Sequence, residues 1–284
     1  MDRDAAAITR VVGDDGRQVV VRVPLMDPPV AVAVWKVNVG QIPLYLLDSD
    51  IPQNDPASRG ICARLYIGDL EQRLRQEIVL GLGGAEVLRS LGITHYLLHL
   101  NEGHAAFALL ERVRELVAAG TTPQAAQERI RRSSIFTTHT PVPAGHDVFP
   151  AELVERYFGS YWASLGLDRE AFLALGAHPE HPEDGFNMSA LALRLSARAN
   201  GVSRRHGEVS RRMWRSLWPE RPEPEVPITH ITNGVHVPTW IEPKVQLLLD
   251  EHLGTDWLDR HDDPATWDGR DRIPPRTCGG PTTG

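Results

Sequence analysis

Short apolar segments alternate with helical patterns along this 284-residue chain, and that alternation restricts the fold more than any other feature. The candidate strands lie at 95–100, 134–139, 201–203 and 227–232. The helical patterns lie at 103–119, 123–132, 151–165, 168–175, 187–199, 206–217 and 245–253. Strands separated by helices of about ten or more residues favour βα units and a largely parallel sheet. The sequence therefore predicts an α/β fold.

The first 91 residues predict a β-rich segment followed by a long helix. A hairpin is expected over 8–23 because Asp15-Gly16 is a turn signal between apolar runs, and strands are expected over 30–39 and 43–48, the second of them buried. After a loop over 49–68, a helix is expected over 69–91 with Asp69 as its N-cap. Its apolar stripe consists of Leu70, Leu74, Ile78 and Leu82.

Composition restricts the partners and the cell compartment. A hydrophobic content of 42% is enough for a sizeable core, and a net charge of −7 argues against nucleic acid as a partner. No apolar run is long enough for a transmembrane helix, and the acidic start Met1-Asp2-Arg3-Asp4 does not resemble a secretory leader. Cys62 and Cys278 are too few and too far apart for a disulfide framework. We therefore expect a cytoplasmic protein with no membrane or nucleic-acid partner.

Polar clusters follow three of the predicted strands. In open α/β sheets, ligands bind outside the carboxyl ends of the strands, so these clusters are the candidate site. Glu102 and His104 could bind a polar ligand at a helix N-terminus, or Asn101 could simply cap that helix. His139, held by the backbone restriction that Pro141 places on Thr140, could contact a hydroxyl-rich ligand or be an ordinary loop histidine. The candidate site residues of this kind also include Asn233, whose amide suits a sugar hydroxyl but which a turn explains equally well.

Other motifs carry less weight. The chain has 12 histidines, but it contains no Cys-x-x-Cys and no His-Glu-x-x-His, so no metal site is expected. The glycines at 81, 83 and 84 follow a helical rather than a strand pattern, which favours close helix packing over dinucleotide binding. Trp214 and Trp218 are expected in a core or an interface rather than as a sugar platform.

Six ordered segments resemble the α-glucan phosphorylases, the glycogen/maltodextrin phosphorylase family, and the shorter bacterial form most closely. The segments are LYLLDSDIPQND (44–55), LYIGDLEQRLRQEIVLGLGG (65–84), HLNEGHAAFALLERVREL (99–116), FTTHTPVPAGHDVFP (136–150), FNMSALALRLSARANGVSRRHGEVSRRMW (186–214) and ITNGVHVPTW (231–240). The resemblance runs from about residue 35 to about residue 273. Six long segments in one order are far more specific than any single motif.

The resemblance implies a fold, a reaction and a cofactor. The fold is one Rossmann-like half of a GT-B glycosyltransferase, here with an N-terminal β-rich segment. The reaction, of the hexosyltransferase class, is cleavage of an α-1,4-glucan or maltodextrin by orthophosphate, which releases glucose 1-phosphate. The cofactor is pyridoxal 5'-phosphate on a lysine. Family members are cytoplasmic enzymes of carbohydrate metabolism, and the family includes allosteric enzymes.

The resemblance also assigns roles to individual residues. His139 is implied to contact the 6-hydroxyl of the glucosyl unit, and Asn233 to contact a ring hydroxyl. Glu102 and His104 match an acidic-x-His pair beside the same pocket, and Asp69 matches the acid at the base of a gating loop. These residues position substrate, and no catalytic proton-transfer residue is implied in this chain.

The sequence departs from the family in ways that affect activity. Lys36 and Lys244 are the only lysines, and neither matches the cofactor motif. The expected chain is therefore a partial phosphorylase, inactive alone, with a glucan-binding domain over 1–255 and an irregular acidic, proline-rich tail over 256–284. Self-association through an exposed cleft face is expected. The alternatives are a retaining, sugar-nucleotide-dependent glucan glycosyltransferase and a non-catalytic carbohydrate-binding remnant.

Overall fold

The computed structural model describes residues 8–24, 28–65 and 68–273. The chain forms two compact units: the first ends at Thr232 and the second begins at Asn233. Cys278 and residues 274–284 of the predicted irregular tail (256–284) lie outside the described residues. The assignment of 1–255 to glucan binding stays a prediction.

The first unit opens with an antiparallel sheet. Its strands are β1 (Thr9–Arg10), β2 (Val20–Val23), β3 (Val30–Val39) and β4 (Ile42–Asp48), and β3 pairs with all the others. The predicted turn is present, with Gly16 at a φ of +73°. The prediction that β4 is buried is wrong: its residues are exposed or half-buried, because β4 is an edge strand of this sheet.

The predicted helix over 69–91 forms as three joined segments. A short helix, α1 (Pro56–Arg59), precedes α2 (Leu70–Ile78), a π-helical turn (Val79–Gly83) and α3 (Gly84–Ser90). Asp69 caps α2, since its Oδ1 accepts a bond of 2.7 Å from the backbone N–H of Gln72. On the predicted stripe, Leu74, Ile78 and Leu82 are buried and Leu70 is exposed.

Glycine at position 81 allows this helix to approach a neighbour closely. A Cβ at Gly81 would lie 2.7 Å from the Cβ of Phe107. The neighbour is α4 (Phe107–Ala118), and the contact confirms the helix-packing interpretation for Gly81.

The central layer of the first unit is a parallel sheet. It contains β5 (Leu98–Asn101), β6 (Ser134–Thr138), β9 (Arg198–Gly201) and β10 (Ile228–His230) in the order β10-β9-β6-β5. The parallel α/β prediction is confirmed. The predicted helix over 187–199 is too long, because β9 already begins at Arg198, and the strand expected at 201–203 lies mostly upstream of that range.

The remaining helices of this unit pack on the sheet around an aromatic core. They are α5 (Pro123–Arg132), α6 (Ala151–Phe158), α7 (Arg169–Gly176), α8 (Met188–Arg194) and α9 (Arg204–Met213), and a two-stranded ribbon consists of β7 (Val148–Phe149) and β8 (Phe186–Asn187). Stacked or tilted rings of Phe107, Phe158, Phe172 and Phe186 fill the core. Trp214 is buried, as expected for a core residue.

The second unit is helical where it is described. It contains α10 (Val237–Trp240), α11 (Pro243–Leu253) and a 3-10 segment over Pro264–Arg272. Trp257 is buried and donates a hydrogen bond of 2.8 Å from Nε1 to Asp250. Among the described residues of both units, no helix is long and apolar enough to cross a membrane.

Candidate functional site

Glu102 joins the carboxyl ends of β5 and β6. Its Oε1 accepts hydrogen bonds from the Thr138 hydroxyl at 3.2 Å, from the backbone N–H of Thr140 at 2.8 Å and from the backbone N–H of His139. Glu102 is nine-tenths buried and is the one non-glycine residue with a positive φ, +65°, in the described part of the chain. A carboxylate held by several N–H and O–H donors is a strong local anchor. The ends of two adjacent strands are therefore joined, while the sugar contacts predicted for Glu102 and His139 stay predictions.

The helix-cap alternative for this segment is wrong. Asn101 belongs to β5, and a 3-10 turn over Gly103–Ala105 separates Glu102 from α4. Neither Asn101 nor Glu102 caps that helix, and α4 begins with no side-chain cap. The Glu102 side chain points instead to the backbone that carries His139.

His139 follows β6 and is half-buried. Its Nε2 is buried and has no hydrogen-bond partner among the described residues. A polar network lies just before it on the same strand: Thr137 Oγ1 donates to Asn200 Oδ1 at 3.0 Å and lies 2.7 Å from Nε2 of His99. Buried polar atoms are rarely left unsatisfied without a functional or solvent partner. The strand ends thus offer a fixed histidine with a free ring nitrogen.

A cluster of charged side chains lies next to this edge. His104 Nδ1 lies 2.8 Å from Asp147 Oδ2, and the Arg73 guanidinium lies 3.0 Å from the same oxygen and 2.7 Å from the same ring nitrogen. Arg73 Nε is also 3.2 Å from Glu77 Oε1 on the next turn of α2. We call Arg73, Glu77, His104 and Asp147 the charged cluster.

Burial and pairing shift the pKa values within the charged cluster. Burial raises the pKa of Glu77 to about 8, which favours its neutral acid. Hydrogen bonding to Asp147 and then to Glu77 raises the pKa of His104 to about 9, so it is protonated at neutral pH. Burial opposes ionisation of Asp147, but hydrogen bonds from His104, Glu77 and Arg73 outweigh it and hold its pKa well below the usual range.

The charged cluster contains three side chains that could bind a cation, and it also contains the positively charged Arg73 guanidinium. One ligand atom each of Glu77, His104 and Asp147 lies within 4.8 Å of the others. The Arg73 guanidinium already contacts Asp147 and His104, and it supplies positive charge where an ion would lie. The expectation that no metal binds stays a prediction.

Curated relatives of this chain are similar to it in sequence over nearly all of its length. A glycogen phosphorylase of Mycobacterium tuberculosis is 44% identical over 274 residues, and a maltodextrin phosphorylase of Thermococcus litoralis is 42% identical over 261 residues; each match covers 92% of this chain. A glycogen phosphorylase of Aquifex aeolicus is 39% identical over 94% of this chain. This chain belongs to the α-glucan phosphorylase family.

The match is partial on the relatives' side. The chain spans about a third of their length: 31% for the M. tuberculosis and T. litoralis proteins and 38% for the A. aeolicus protein. No family model matches the chain.

Two further predicted site residues of this phosphorylase homologue, Asp69 and Asn233, are not among the residues of the strand-end contacts described above. Asp69 is exposed and caps α2, the helix that carries Arg73 and Glu77. Asn233 is the first residue of the second unit, and its contact with the same sugar stays a prediction.

Sequence reasoning missed three of the four residues of the charged cluster: Arg73, Glu77 and Asp147. Arg73 and Glu77 have a local signal, since they are four apart on one helix and Glu77 lies off the apolar stripe, yet Glu77 is buried. Asp147 has no such signal: it follows a proline- and glycine-rich loop and is 74 positions from Arg73. Only packing brings these residues together.

Proposed function

We propose that this chain supplies the glucan-binding part of an α-glucan phosphorylase, one half of a GT-B architecture. The proposed reaction is phosphorolysis of α-1,4-glucan by orthophosphate to glucose 1-phosphate. The observation that carries the proposal is the Glu102 anchor, which fixes the His139 backbone at the strand ends of a chain 39–44% identical to phosphorylases. Ligand binding at the carboxyl ends of parallel strands supports the same site.

In this proposal His139 is the direct sugar contact. Its Nε2 is buried without a hydrogen-bond partner among the described residues, so the ring must turn before a hydroxyl of the glucosyl unit can satisfy it as donor or acceptor. We also propose, from the family resemblance, that Asn233 contacts a ring hydroxyl of the glucan. Asp69 contributes by capping α2, the helix that carries Arg73 and Glu77 of the charged cluster.

Glu102 acts as a positioning residue rather than as a sugar ligand. Its Oε1 accepts from three protein donors, so this oxygen is occupied by the strand ends themselves. Fixing the backbone of His139 in advance lowers the entropic cost of ordering it when a sugar binds.

In the proposed sugar pocket, His104 is the residue of the charged cluster that faces the sugar. Asp147 Oδ2 lies 2.8 Å from His104 Nδ1 and 3.0 Å from the Arg73 guanidinium, so this one carboxylate holds both side chains. A protonated His104 donates hydrogen bonds and accepts none, which suits sugar oxygens. These groups orient substrate, and no proton transfer is assigned to them.

The residues of this chain do not form the pyridoxal 5'-phosphate site that the family implies. A Schiff base requires a lysine in a pocket, and the chain has two lysines. Lys36 lies within β3, paired with Tyr45, and Lys244 is exposed on α11. Neither lines either of the two largest cavities described.

Calorimetry with maltoheptaose tests the proposal. We expect binding by the unchanged chain, a loss of at least about tenfold in affinity for His139→Ala, and no change for His261→Ala, an exposed histidine of the second unit. We also expect no glucose 1-phosphate from maltodextrin and phosphate with this chain alone.

Absence of binding by the unchanged chain, or equal affinity for His139→Ala, would overturn the proposal. Binding of a sugar nucleotide in preference to maltoheptaose would favour the sugar-nucleotide-dependent transferase instead.

A further inference from the structure

Three arginines line one cavity at the amino end of the parallel sheet. Arg131 precedes β6, Arg194 ends α8 and Arg221 precedes β10, and the cavity between them has a volume of about 450 Å³. We call it the arginine cavity. Because the strands of this sheet are parallel, their amino ends lie opposite the carboxyl ends that carry Glu102 and His139. The arginine cavity is therefore separate from the candidate sugar site.

The arginine cavity contains more positive than negative charge. None of its described lining residues is acidic. Arg131 pairs with Glu128 at 2.8 Å, but Glu128 also pairs with Arg132 at 2.7 Å, so one carboxylate serves two guanidinium groups. Arg221 lies 3.7 Å from Glu220, and both of these side chains are exposed. An anion in the cavity would therefore meet unbalanced positive charge.

Arg194 is a half-buried cation with no carboxylate partner in the described part of the chain. Its guanidinium donates to the carbonyl oxygens of Leu175 at 2.9 Å and Ala177 at 2.6 Å, at the carboxyl end of α7. A helix terminus carries only about half a unit of negative charge, so these carbonyls do not neutralise the arginine. Burial lowers the pKa of Arg194, and no neighbouring carboxylate opposes that effect. The remaining N–H donors of this guanidinium favour an anionic acceptor.

The hydroxyl of Ser196 is an unpartnered polar group in the wall of the cavity. Ser196 lies between α8 and β9 and is 7% exposed, and its Oγ has no hydrogen-bond partner among the described residues. Oγ is itself buried, so a change of rotamer about the Cα–Cβ bond is needed to turn it toward a ligand in the cavity. An oxyanion would then accept the O–H and satisfy it.

Part of the cavity wall is apolar and aromatic. Leu217, Trp218 and Pro227 line the cavity together with the arginines, and Trp218 is half-buried. An indole ring offers an apolar face against which a ring can pack. The wall therefore has room for an organic group attached to an anion.

We propose that the arginine cavity binds a phosphate group, either as inorganic phosphate or carried by a small organic molecule. The guanidinium groups of Arg194 and Arg221 and the hydroxyl of Ser196 would hold its oxygens. This phosphate is not the one that attacks a glycosidic bond, because a reacting phosphate must meet the sugar, and the candidate sugar site lies at the other end of the sheet. The inference goes beyond the proposed function and does not rest on glucan binding.

Calorimetric titration with inorganic phosphate, at constant ionic strength, is the first test. We expect saturable binding of one phosphate by the unchanged chain. The affinity should fall about tenfold or more in Arg194→Gln, and about threefold or more in Ser196→Ala and in Arg221→Gln. Arg215→Gln removes the same charge from an exposed arginine upstream of Arg221 and should bind phosphate as the unchanged chain does.

Three results would overturn the proposal. The first is no saturable binding by the unchanged chain. The second is equal affinity in the unchanged chain, Ser196→Ala and Arg221→Gln; these two variants test the site even if Arg194→Gln, which loses two carbonyl contacts, does not fold. The third is an equal loss in Arg215→Gln and Arg221→Gln, because general charge attraction would then explain the binding.

Phenyl phosphate distinguishes the two sources of the phosphate group. Binding tighter than that of inorganic phosphate, with the difference lost in Trp218→Leu, would assign the cavity to a phosphate carried by a ring. Equal binding of the two compounds, unchanged in Trp218→Leu, would assign it to free phosphate. Binding of neither compound would overturn the proposal.

Maltoheptaose is titrated separately against the same preparations. Ser196→Ala and Arg221→Gln should bind maltoheptaose as the unchanged chain does, because the arginine cavity and the candidate sugar site lie at opposite ends of the sheet. Failure of the phosphate site and failure of the sugar site are therefore distinguishable.

Discussion

The two ends of the parallel sheet differ in how their charged side chains are paired. At its carboxyl end, side chains provide the hydrogen-bond partners: Glu102 accepts from the backbone N–H groups of His139 and Thr140, and the residues of the charged cluster pair with one another. At its amino end, the described lining of the arginine cavity has no acidic side chain, and the Ser196 hydroxyl has no partner there. An end whose charges are paired suits a neutral polar ligand, whereas an end with excess positive charge suits an anion.

The largest expected effect concerns the Glu102 anchor. Glu102→Ala should lower the free energy of unfolding by about 3 kcal/mol, because it removes a charged acceptor and leaves buried N–H groups unpaired. Glu102→Gly should be about 1 kcal/mol less damaging, since glycine adopts the positive φ without strain. Urea denaturation checks both, and equal losses would show that the backbone at this position is not strained.

Two glycines of the joined helical segments over 69–91 should respond in opposite ways. Gly81→Ala should destabilise by about 1–3 kcal/mol, because the new methyl would overlap Phe107. Gly84→Ala, with no atom within 4 Å of the added Cβ, should be neutral or stabilise by up to about 1 kcal/mol. Thermal unfolding of the pair measures the difference, and a loss of stability in Gly84→Ala would indicate that the space beside Gly84 is already filled.

The charged cluster should make stability fall as the pH rises. Folding raises the pKa of Glu77 from 4.5 to about 8 and that of His104 from 6.5 to about 9, so the folded state binds more protons than the unfolded state in this range. The contribution of Glu77 is complete below pH 4.5 and is lost through pH 8, and that of His104 is complete below 6.5 and is lost through pH 9. Asp147 acts in the opposite sense, and its contribution is lost only as the pH falls below 3.8.

We expect a loss of about 1 kcal/mol per pH unit between about pH 6 and pH 8, with His104 contributing less because it is partly exposed to solvent. Urea midpoints across this range measure it. Glu77→Gln should flatten the slope, and Glu128→Gln, at an exposed carboxylate, should not. A slope unchanged by Glu77→Gln would mean that Glu77 is ionised in the folded protein.

The smallest effect is expected at the rim of the arginine cavity. The Arg221 side chain is 48% exposed, so Arg221→Gln should change the stability of the phosphate-free chain by less than about 0.5 kcal/mol. Denaturation of the variant without phosphate measures this. A large loss would show that the Arg221 charge is paired within the folded chain and would remove the contrast between the two ends of the sheet.

Local patterns predicted the parts of the fold that depend on neighbouring residues. The Asp69 cap, the Asp15-Gly16 turn, the helix over 69–91 and the packing role of Gly81 each follow from residue types within a few positions. The errors have a tertiary origin. The β4 sequence is a nearly continuous apolar run, which favours a buried strand, but β4 lies at a sheet edge, and β9 begins inside a pattern that favours helix.

The sequence alone determined the α/β class, the parallel strands and the position of His139 and Glu102 at adjacent strand ends, because strand polarity and turn chemistry are encoded in short windows. The tertiary structure decided that Glu102 anchors backbone, that Arg73 meets Asp147 across 74 positions, and that three distant arginines line one cavity. Such contacts depend on how distant segments pack, and no local window of sequence specifies which side chains will share one buried volume.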